Sequence, residues 1–382
     1  MIEDKEKIYW LAWSKIKGIG VVSLKKIYEH FGSLQDAWHK STEELIIIDG
    51  IGKKLCNLIK DEKQKIDPDK LYLKHLEKNP NFWTLNEPEY PQILLEIPSP
   101  PAILYYQGEK KLFENINPLI GIVGTRKPTE HGRKWTYNIS KILAENGFTV
   151  VSGLAEGIDT MAHRGCLDGG GKTIAVLGNG LDRAYPSHNR QLMSEIAEKG
   201  LILTEYDYGS QPERGNFPAR NRIVAGLCRA ILVMEAPEKS GALITARYAN
   251  EFNRDVYTLP NTPDNLKARG CLRLIHHGAE VIITPEELLS SLGVIPSLNE
   301  GQQLSLFSSS SPPITNNAKK TKEEPILSST FRLVYEAIEI NPTPFDVIVE
   351  KSSLNSGEVS GILLQLELDG LITQLPGMTY SK

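Results

Sequence analysis

The central part of the chain alternates short apolar runs with amphipathic stretches. The run Leu119–Val123 ends in Gly-Thr-Arg and is followed, from about residue 132 to 146, by an amphipathic stretch. This order predicts a strand, a turn and a helix. Six further apolar runs follow, at residues 148–153, 173–178, 201–205, 230–235, 255–259 and 280–283. Strands that alternate with helices predict an α/β fold, here an extended Rossmann-like, doubly wound and mainly parallel sheet over residues 112–295.

Residues 1–80 have a helical pattern that contains two similar phrases. Ile-Lys-Gly-Ile-Gly at residues 16–20 and Ile-Asp-Gly-Ile-Gly at residues 48–52 each precede a periodic apolar stretch with lysines. The phrase resembles the helix-hairpin-helix motif, whose glycine N–H groups contact a DNA phosphate without reading base sequence. Two ordinary turns in a small SAM-like helical domain would also explain the glycines. The pattern therefore predicts a small helical domain and leaves its ligand open.

Three other segments complete the predicted organisation. Residues 81–111 contain five prolines and are predicted to be a connector with one short strand at 102–106. Residues 296–325 are too polar to bury a core and are predicted to be a flexible linker. Residues 326–382 are predicted to form a winged helix, with helices at 331–340, 344–351 and 356–368 and a turn at Gly377.

The third helix of a winged-helix domain usually enters the major groove of DNA. Here that helix carries Glu358 and Glu367 but no Lys or Arg. Because phosphate contacts supply most of the affinity for a duplex, an acidic helix is poorly suited to this task. We therefore favour an accessory or protein-interaction role for this domain over duplex reading.

Composition narrows the class of protein only modestly. The formal net charge of -4 does not indicate a nucleic-acid binder, although a local basic cleft can bind phosphates on an acidic protein. The cysteines are far apart in the sequence, which argues against a zinc site or a disulfide framework; they are Cys56, Cys166, Cys228 and Cys271. Because there is no long apolar run and no signal peptide, we expect a cytoplasmic protein with no membrane partner.

Polar and glycine residues follow each predicted strand, and the carboxyl ends of parallel strands meet at one edge of a sheet. The candidate ligand-binding residues are Gly124, Thr125, Arg126, Ser152, Gly153, Gly178, Asn179, Arg214, Phe217, Arg220, Asn221, Arg222, Ser240 and Gly241. Arginine suits phosphates because its planar fork donates two parallel hydrogen bonds. Phe217, between Arg214 and Arg220, offers a stacking face, which favours an unpaired strand over a duplex.

Two structural explanations of these residues also remain open. Arg220 and Arg222 could instead form salt bridges with Glu205 or Glu235. The glycines at 121 and 124 could bind an anion at the start of the first helix, or they could simply close a tight turn.

Nothing in the sequence requires catalysis. Asp159 and His163 are four residues apart and could share a metal, but we favour Asp159 as a helix N-cap and His163 as a packed side chain. No catalytic triad, Walker A phrase or Gly-x-Ser-x-Gly phrase is present. We therefore predict no catalytic residues, no metal and no cofactor.

Several phrases occur in a fixed order along the strand ends. They are VGTR (123–126), SGLAEGID with AH (152–159, 162–163), AVLGNGLD with YP (175–182, 185–186), FPARNR with AGL (217–222, 225–227) and SGALITA (240–246). Together they resemble the DNA-processing protein A (DprA/Smf) family from about residue 90 to 285. The resemblance implies a bacterial cytosolic homodimer that binds and protects single-stranded DNA and loads RecA recombinase during natural transformation.

The resemblance also implies roles for single residues. Arg126 would contact phosphates, Arg214 would supply a second cation and Phe217 would lie against a base. Asn221 and Arg222 would shape or contact the same pocket, while Ser240 and Gly241 would present N–H groups at a helix start. Three residues depart from the family pattern, namely Asn261, Ala268 and Leu272, and Arg269 could compensate at that edge.

An enzyme is the main alternative from another functional class. Nucleotide phosphoribohydrolases use a similar Rossmann domain with the phrase Pro-Gly-Gly-x-Gly-Thr-x-x-Glu. The corresponding segment here, residues 240–246, reads SGALITA and lacks the acid.

Overall fold

The chain forms two compact units, Met1–Gln302 and Gln303–Lys382. The computed structural model describes residues 2–113, 118–293 and 329–382, except 339–342, 353, 355, 369–370 and 376–378. The predicted linker at 296–325 lies outside the described residues.

The first unit begins with six helices, and the two glycine phrases adopt the same backbone conformation. The helices are α1 (Ile2–Ser14), α2 (Val21–Phe31), α3 (Leu34–Trp38), α4 (Thr42–Leu45), α5 (Lys53–Lys63) and α6 (Pro68–Leu76). Gly18 and Gly50 have φ angles of 81° and 86°, and Gly20 and Gly52 are the N-caps of α2 and α5. The repeat in sequence is therefore a repeat in structure.

A nine-stranded sheet follows these helices. The strands are β1 (Phe82–Thr84), β2 (Ile103–Gly108), β3 (Leu119–Val123), β4 (Thr149–Ser152), β5 (Thr173–Val176), β6 (Leu201–Thr204), β7 (Ala230–Val233), β8 (Asp255–Thr258) and β9 (Glu280–Val281). Their order is β1-β2-β6-β5-β4-β3-β7-β8-β9, with β3 to β9 parallel and β1 and β2 antiparallel at one edge. The predicted mainly parallel, Rossmann-like sheet is confirmed, including all seven predicted parallel strands.

Helices cover both faces of the sheet. They are α7 (Glu130–Glu145), α8 (Ile158–Asp168), α9 (Arg190–Lys199), α10 (Asn216–Leu227), α11 (Ala242–Glu251), α12 (Arg269–His276) and α13 (Pro285–Ser291). Alternate residues of β3 pack into two different cores: Val123 joins the core that contains α10 and α11, whereas Ile120 and Ile122 join the core of α7 and α8. This explains why the strands read as unbroken apolar runs.

The predicted connector at residues 81–111 supplies two strands to the sheet: β2, which matches the predicted strand at 102–106, and β1, which was not predicted. Its prolines all lie between β1 and β2, so neither strand has to accommodate one. Trp83 of β1 stacks on Tyr106 of β2 with ring centroids 4.0 Å apart. The N-terminal helices also share a core with the sheet, through Trp10 and Trp13 among others, so residues 1–80 are not a separate compact unit.

In its described residues, the second unit contains three helices and a small antiparallel sheet, as the winged-helix prediction requires. Its elements are α14 (Ser329–Ala337), β10 (Thr343–Pro344), α15 (Phe345–Ser352), α16 (Ser356–Leu368), β11 (Thr373–Leu375) and β12 (Thr379–Ser381), and its sheet order is β10-β12-β11. Val334, Ile348 and Val359 belong to its core. Across the described parts of both units, no helix has the length and apolar character needed to span a bilayer.

Candidate nucleic-acid interface

The candidate site is the cleft at the carboxyl ends of the parallel strands, which we call the strand-end cleft. The strand order reverses between β3 and β7, because β4, β5 and β6 lie on one side of β3 and β8 and β9 lie beyond β7. Ligands of open α/β sheets bind at such a reversal. The ends of β3, β4, β5, β6 and β7 and the turns after them supply the candidate residues around it.

An aromatic platform lies in this cleft. Phe217, in the first turn of α10, is half-buried and packs on Gly178, where a Cβ atom would be only 2.9 Å from its ring. The Arg126 guanidinium carbon lies 5.3 Å from the Phe217 ring centroid, within the range of a cation–π contact. Arg126 and Phe217, which are 91 residues apart in sequence, are therefore brought together as predicted.

Tyr185 extends the platform and was not among the residues predicted from the sequence. Its ring centroid lies 5.2 Å from that of Phe217 at an interplanar angle of 31°, and 41% of the residue is exposed. An aromatic residue five positions after Gly180, in the loop that follows the glycine turn, was the available signal in the sequence. Because turns more often place such a ring in the core, the spacing alone did not identify it.

Of the four candidate arginines, Arg126 and Arg214 remain available. Both are exposed, and neither forms an ion pair or a hydrogen bond within the described residues of the first unit. An exposed guanidinium without an ion pair can bind a phosphate without first breaking a salt bridge.

Arg222 and Arg220 instead hold the cleft together. Arg222 donates to both carboxylate oxygens of Glu205, at 2.6 and 2.7 Å, so the predicted salt-bridge alternative is correct for this residue. Arg220 is only 4% exposed and donates to the carbonyl oxygens of Gly153, at 2.9 Å, and of Val176. Neither guanidinium faces solvent as a phosphate ligand would.

Asp159 and His163 are buried and structural. Asp159 accepts hydrogen bonds from the N–H groups of Gly153, at 3.1 Å, and Ala155, at 3.3 Å. Burial raises the pKa of Asp159, although Arg220 and these N–H groups act in the opposite direction. The prediction that Asp159 caps α8 is wrong, because Gly157 is the N-cap and the Asp159 carboxylate faces the preceding loop.

His163 packs against the start of β5. Its Nδ1 lies 2.7 Å from the hydroxyl oxygen of Thr173, and burial lowers its pKa to about 3. The Thr173 hydroxyl already donates to the Val150 carbonyl, so the neutral ring donates from Nδ1. The predicted packed role of His163 is confirmed. Among the described residues, no group of three or more His, Cys, Asp or Glu could hold a metal ion.

Three further candidates hold the turns rather than line the surface. The hydroxyl of Ser152 donates to the Ile122 carbonyl at 2.6 Å, and Gly153 lies under the Arg220 guanidinium. The amide of Asn179 donates to the carbonyl oxygens of Gly180 and Arg183, at 2.9 and 2.8 Å. These residues are buried and shape the turns after β4 and β5.

Glu235 occupies the place where the first glycine turn could have bound an anion. It is fully buried, its backbone carbonyl accepts from Thr125 N–H at 2.7 Å, and its carboxylate accepts from Thr129 N–H at 2.9 Å and from the Thr129 hydroxyl. A Cβ atom on Gly132 would lie 2.6 Å from the same carboxylate, and one on Gly124 would lie 2.5 Å from Ile158. The start of α7 therefore holds an internal carboxylate, and Gly124 serves close packing.

The start of α11 is open. Gly241 is its N-cap and has no side chain that could cap the helix, and a Cβ atom on Gly241 would meet nothing within 4 Å. The Asn221 amide donates to the Gly241 carbonyl at 3.2 Å, which ties this helix start to α10. The hydroxyl oxygen of Ser240 accepts a hydrogen bond from the Ala242 N–H at 3.3 Å.

The residues that depart from the family pattern lie after β8. Asn261 accepts from Thr262 N–H at 2.9 Å, Ala268 is buried at the N-cap of α12, and Leu272 is half-buried in that helix. Arg269 is exposed and donates to the Pro263 carbonyl at 3.2 Å. Within the described residues, none of these side chains forms a hydrogen bond or a ring contact with Phe217 or Arg126.

The fold and the cleft define a class of protein: an extended Rossmann-like domain with exposed arginines and aromatic rings at its strand ends, joined in sequence to a winged helix. Comparison with known families agrees. Residues 81–293 match the family of DNA recombination-mediator protein A, and residues 318–378 match the DprA winged helix domain. The chain belongs to the DNA recombination-mediator protein A (DprA/Smf) family.

Similar proteins cover most of the chain. Protein Smf from Synechocystis sp. is 50% identical over 395 residues, which is 99% of each chain. The X-ray structure of DNA processing protein A from Streptococcus pneumoniae matches with a TM-score of 0.67 and 34% identity, covering 74% of this chain and 97% of that one. A structure from Helicobacter pylori, described for its single-stranded DNA binding mode, matches with a TM-score of 0.51 and 32% identity, covering 56% and 97%.

Proposed function

We propose that this protein binds single-stranded DNA in the strand-end cleft and does not act as an enzyme. The observation that carries the proposal is the contact of Arg126 with Phe217, because it places an unpaired cation beside an accessible aromatic face. A strand would place phosphates on Arg126 and Arg214 and a base on Phe217 and Tyr185. Aromatic stacking tolerates any base, so we expect weak sequence preference.

An unpaired strand fits this surface better than a duplex does. Stacking requires bases that are not already paired, whereas phosphate contacts alone would serve either form. The similarity to the Helicobacter pylori protein supports this choice of ligand. A small nucleotide fits less well, because Glu235 already fills the helix start at which a Rossmann fold usually binds a phosphate.

The wider role that we propose is loading of RecA recombinase onto the bound strand during natural transformation, by a cytoplasmic homodimer. This role follows from membership of the family rather than from a surface of the described residues. Analytical ultracentrifugation tests the dimer, and RecA filament assembly on strands coated with a single-strand-binding protein tests loading. A purified protein that released free base from nucleoside monophosphates would instead support the phosphoribohydrolase alternative.

Two substitutions separate the phosphate contact from the stacking contact. Arg126→Ala should weaken binding to an oligodeoxythymidine roughly tenfold and reduce the slope of log K against log salt by about 0.7, the value for one lost phosphate contact. Phe217→Ala should weaken binding by at least roughly fivefold with no change in slope, since a stacked base releases no counterion.

The control is Arg164→Ala, which removes an exposed arginine from α8 outside the proposed contacts. It should leave both the affinity and the slope unchanged. If Arg126→Ala behaves like this control, the strand does not run past Arg126 and the proposed site is incorrect.

A further inference from the structure

The loop between β6 and α10 carries Arg214 to the cleft. We call residues 205–215 the arginine loop. Its first half is anchored from two sides, whereas Arg214 near its end is exposed and has no ion pair or hydrogen bond within residues 118–293. Arg214 therefore lies between these anchors and the start of α10, two residues further along the chain.

One anchor comes from the N-terminal helices. Lys15, directly after α1, forms an ion pair with Asp207, which also accepts a hydrogen bond from the Tyr105 hydroxyl. Burial alone would raise the pKa of Asp207, but the charge of Lys15 and these hydrogen bonds lower it, so the carboxylate stays ionised. Asn79, after α6, is buried, and its side-chain oxygen accepts from Tyr208 N–H at 3.0 Å.

The other anchor comes from the turn after β5. Asp182 accepts from Gly209 N–H at 2.8 Å, and the Ser210 carbonyl accepts from Gly180 N–H at 3.1 Å. Arg183 donates to the side chain of Gln211 at 2.7 Å. Residues 207–211 are thus held between the N-terminal helices and the turn that also carries Tyr185.

Chain length shows how much the anchors restrict Arg214. Arg214 is the third residue after Gln211, and a segment of this length reaches roughly 10 Å from its anchor. Without the anchors at 207–211, Arg214 would be held only from the side of α10. A cation confined to a small volume loses less freedom when it meets a phosphate, and the strand binds more tightly for the same contacts.

We propose that the N-terminal helices position Arg214 for the strand by holding the arginine loop through two contacts, Lys15–Asp207 and Asn79–Tyr208. We call these two contacts the latch. Asp207 is in this view a positioning residue, and Lys15 and Asn79 raise DNA affinity without touching DNA. The inference rests on the proposed function of the cleft. It gives the N-terminal helical segment a role in binding that does not require its glycine phrases to contact DNA.

The test changes only the latch, in the full-length chain. Lys15→Ala combined with Asn79→Ala leaves the arginine loop itself unaltered and should weaken oligodeoxythymidine binding roughly fivefold. Lys15→Arg combined with Asn79→Asp retains a cation and an oxygen acceptor and should restore most of the affinity. Lys172→Ala is the matched control, because it removes an ion pair of similar exposure with Glu109, 2.7 Å long, at the opposite end of the strands.

A cycle with Arg214→Ala shows whether the latch acts through that arginine. In the Arg214→Ala background, the Lys15→Ala and Asn79→Ala pair should cause no further loss of affinity. A loss that simply adds to that of Arg214→Ala overturns the proposal, and so does an unchanged affinity in the arginine-containing protein.

Hydrogen exchange provides a readout that does not depend on DNA. The amides of residues 207–211 should exchange faster in the Lys15→Ala, Asn79→Ala protein, while those of α7 keep their protection. Unchanged exchange in the loop overturns the latch even if DNA binding falls. If the wild-type chain does not bind single strands at all, the proposed function fails, and the exchange measurement still decides whether the helices hold the loop.

Discussion

At the residue scale, the carboxylate of Glu235 lies where the first helix of a nucleotide-binding sheet usually meets a phosphate. It satisfies the N–H and hydroxyl groups of Thr129, the N-cap of α7, and no solvent reaches it. A negative group at a helix start is stabilised by the helix dipole as well as by its hydrogen bonds. The protein thus supplies its own anion at this point, and an external phosphate must bind elsewhere in the cleft.

This assignment predicts a graded loss of stability. Glu235→Ala leaves the Thr129 N–H without an acceptor and opens a cavity, so the free energy of unfolding should fall by about 3 kcal/mol. Glu235→Gln keeps the shape and one acceptor oxygen and should cost about 1 kcal/mol. Urea unfolding measures both values.

Glu251→Ala is the surface control for this series. Its carboxylate pairs with Arg247 one helical turn away, and both side chains are more than half exposed. The expected change is within about 0.5 kcal/mol. A Glu235→Ala protein as stable as this control would show that the buried carboxylate does not hold the start of α7.

At the scale of elements, the start of α8 fixes the backbone of the turn that carries Arg126. Gly157 has a φ of 87°, and a Cβ atom there would lie 2.5 Å from the Thr125 carbonyl oxygen and 2.6 Å from that of Arg126. Any side chain at this position must push the two elements apart. The role of the glycine is packing against the Arg126 turn, which the phrase alone did not reveal.

Gly157→Ala should therefore reduce DNA affinity nearly as much as Arg126→Ala, because the displaced turn moves the guanidinium off Phe217. Gly170→Ala separates this effect from backbone strain: Gly170 has a φ of 74°, and a Cβ atom there meets nothing within 4 Å. Gly170→Ala should lose about 1 kcal/mol of stability from its positive φ. Gly157→Ala should lose more, because its φ of 87° and ψ of -118° lie outside the left-handed helical region. Only Gly157→Ala should lose DNA affinity, as measured by fluorescence anisotropy, and an equal effect in both would contradict the packing argument.

The sequence predicted the elements better than it predicted which side chains face the cleft. The parallel strands are buried on both faces, so each leaves a clear apolar run between turn residues. β1 was missed because Phe82–Thr84 is too short for a period and stands beside prolines. The buried face of α10 was also hard to predict from the sequence. Arg220 is buried because it donates hydrogen bonds to two strand ends that are distant in sequence and close only in the fold.

At the scale of the whole molecule, the two compact units have separate cores. The first unit contains the entire strand-end cleft and the N-terminal latch, while the core of the second contains Val334, Ile348 and Val359. Each unit therefore buries its own apolar residues, and removal of the second should leave the first folded. This makes the contribution of the winged helix to DNA binding directly measurable.

We expect a chain ending at residue 302 to bind both single strands and duplexes as well as the full-length protein does, within about twofold. The physical reason is the charge of α16, which has Glu358 and Glu367 and no Lys or Arg, so it brings no cation to a phosphate. The measurement is a salt series with labelled single strands and hairpin duplexes, and the full-length Glu358→Ala protein is the control for the charge of the helix. Loss of duplex binding in the shortened chain, with single-strand binding retained, would contradict the accessory role and make the winged helix a duplex-binding domain despite its acidic third helix.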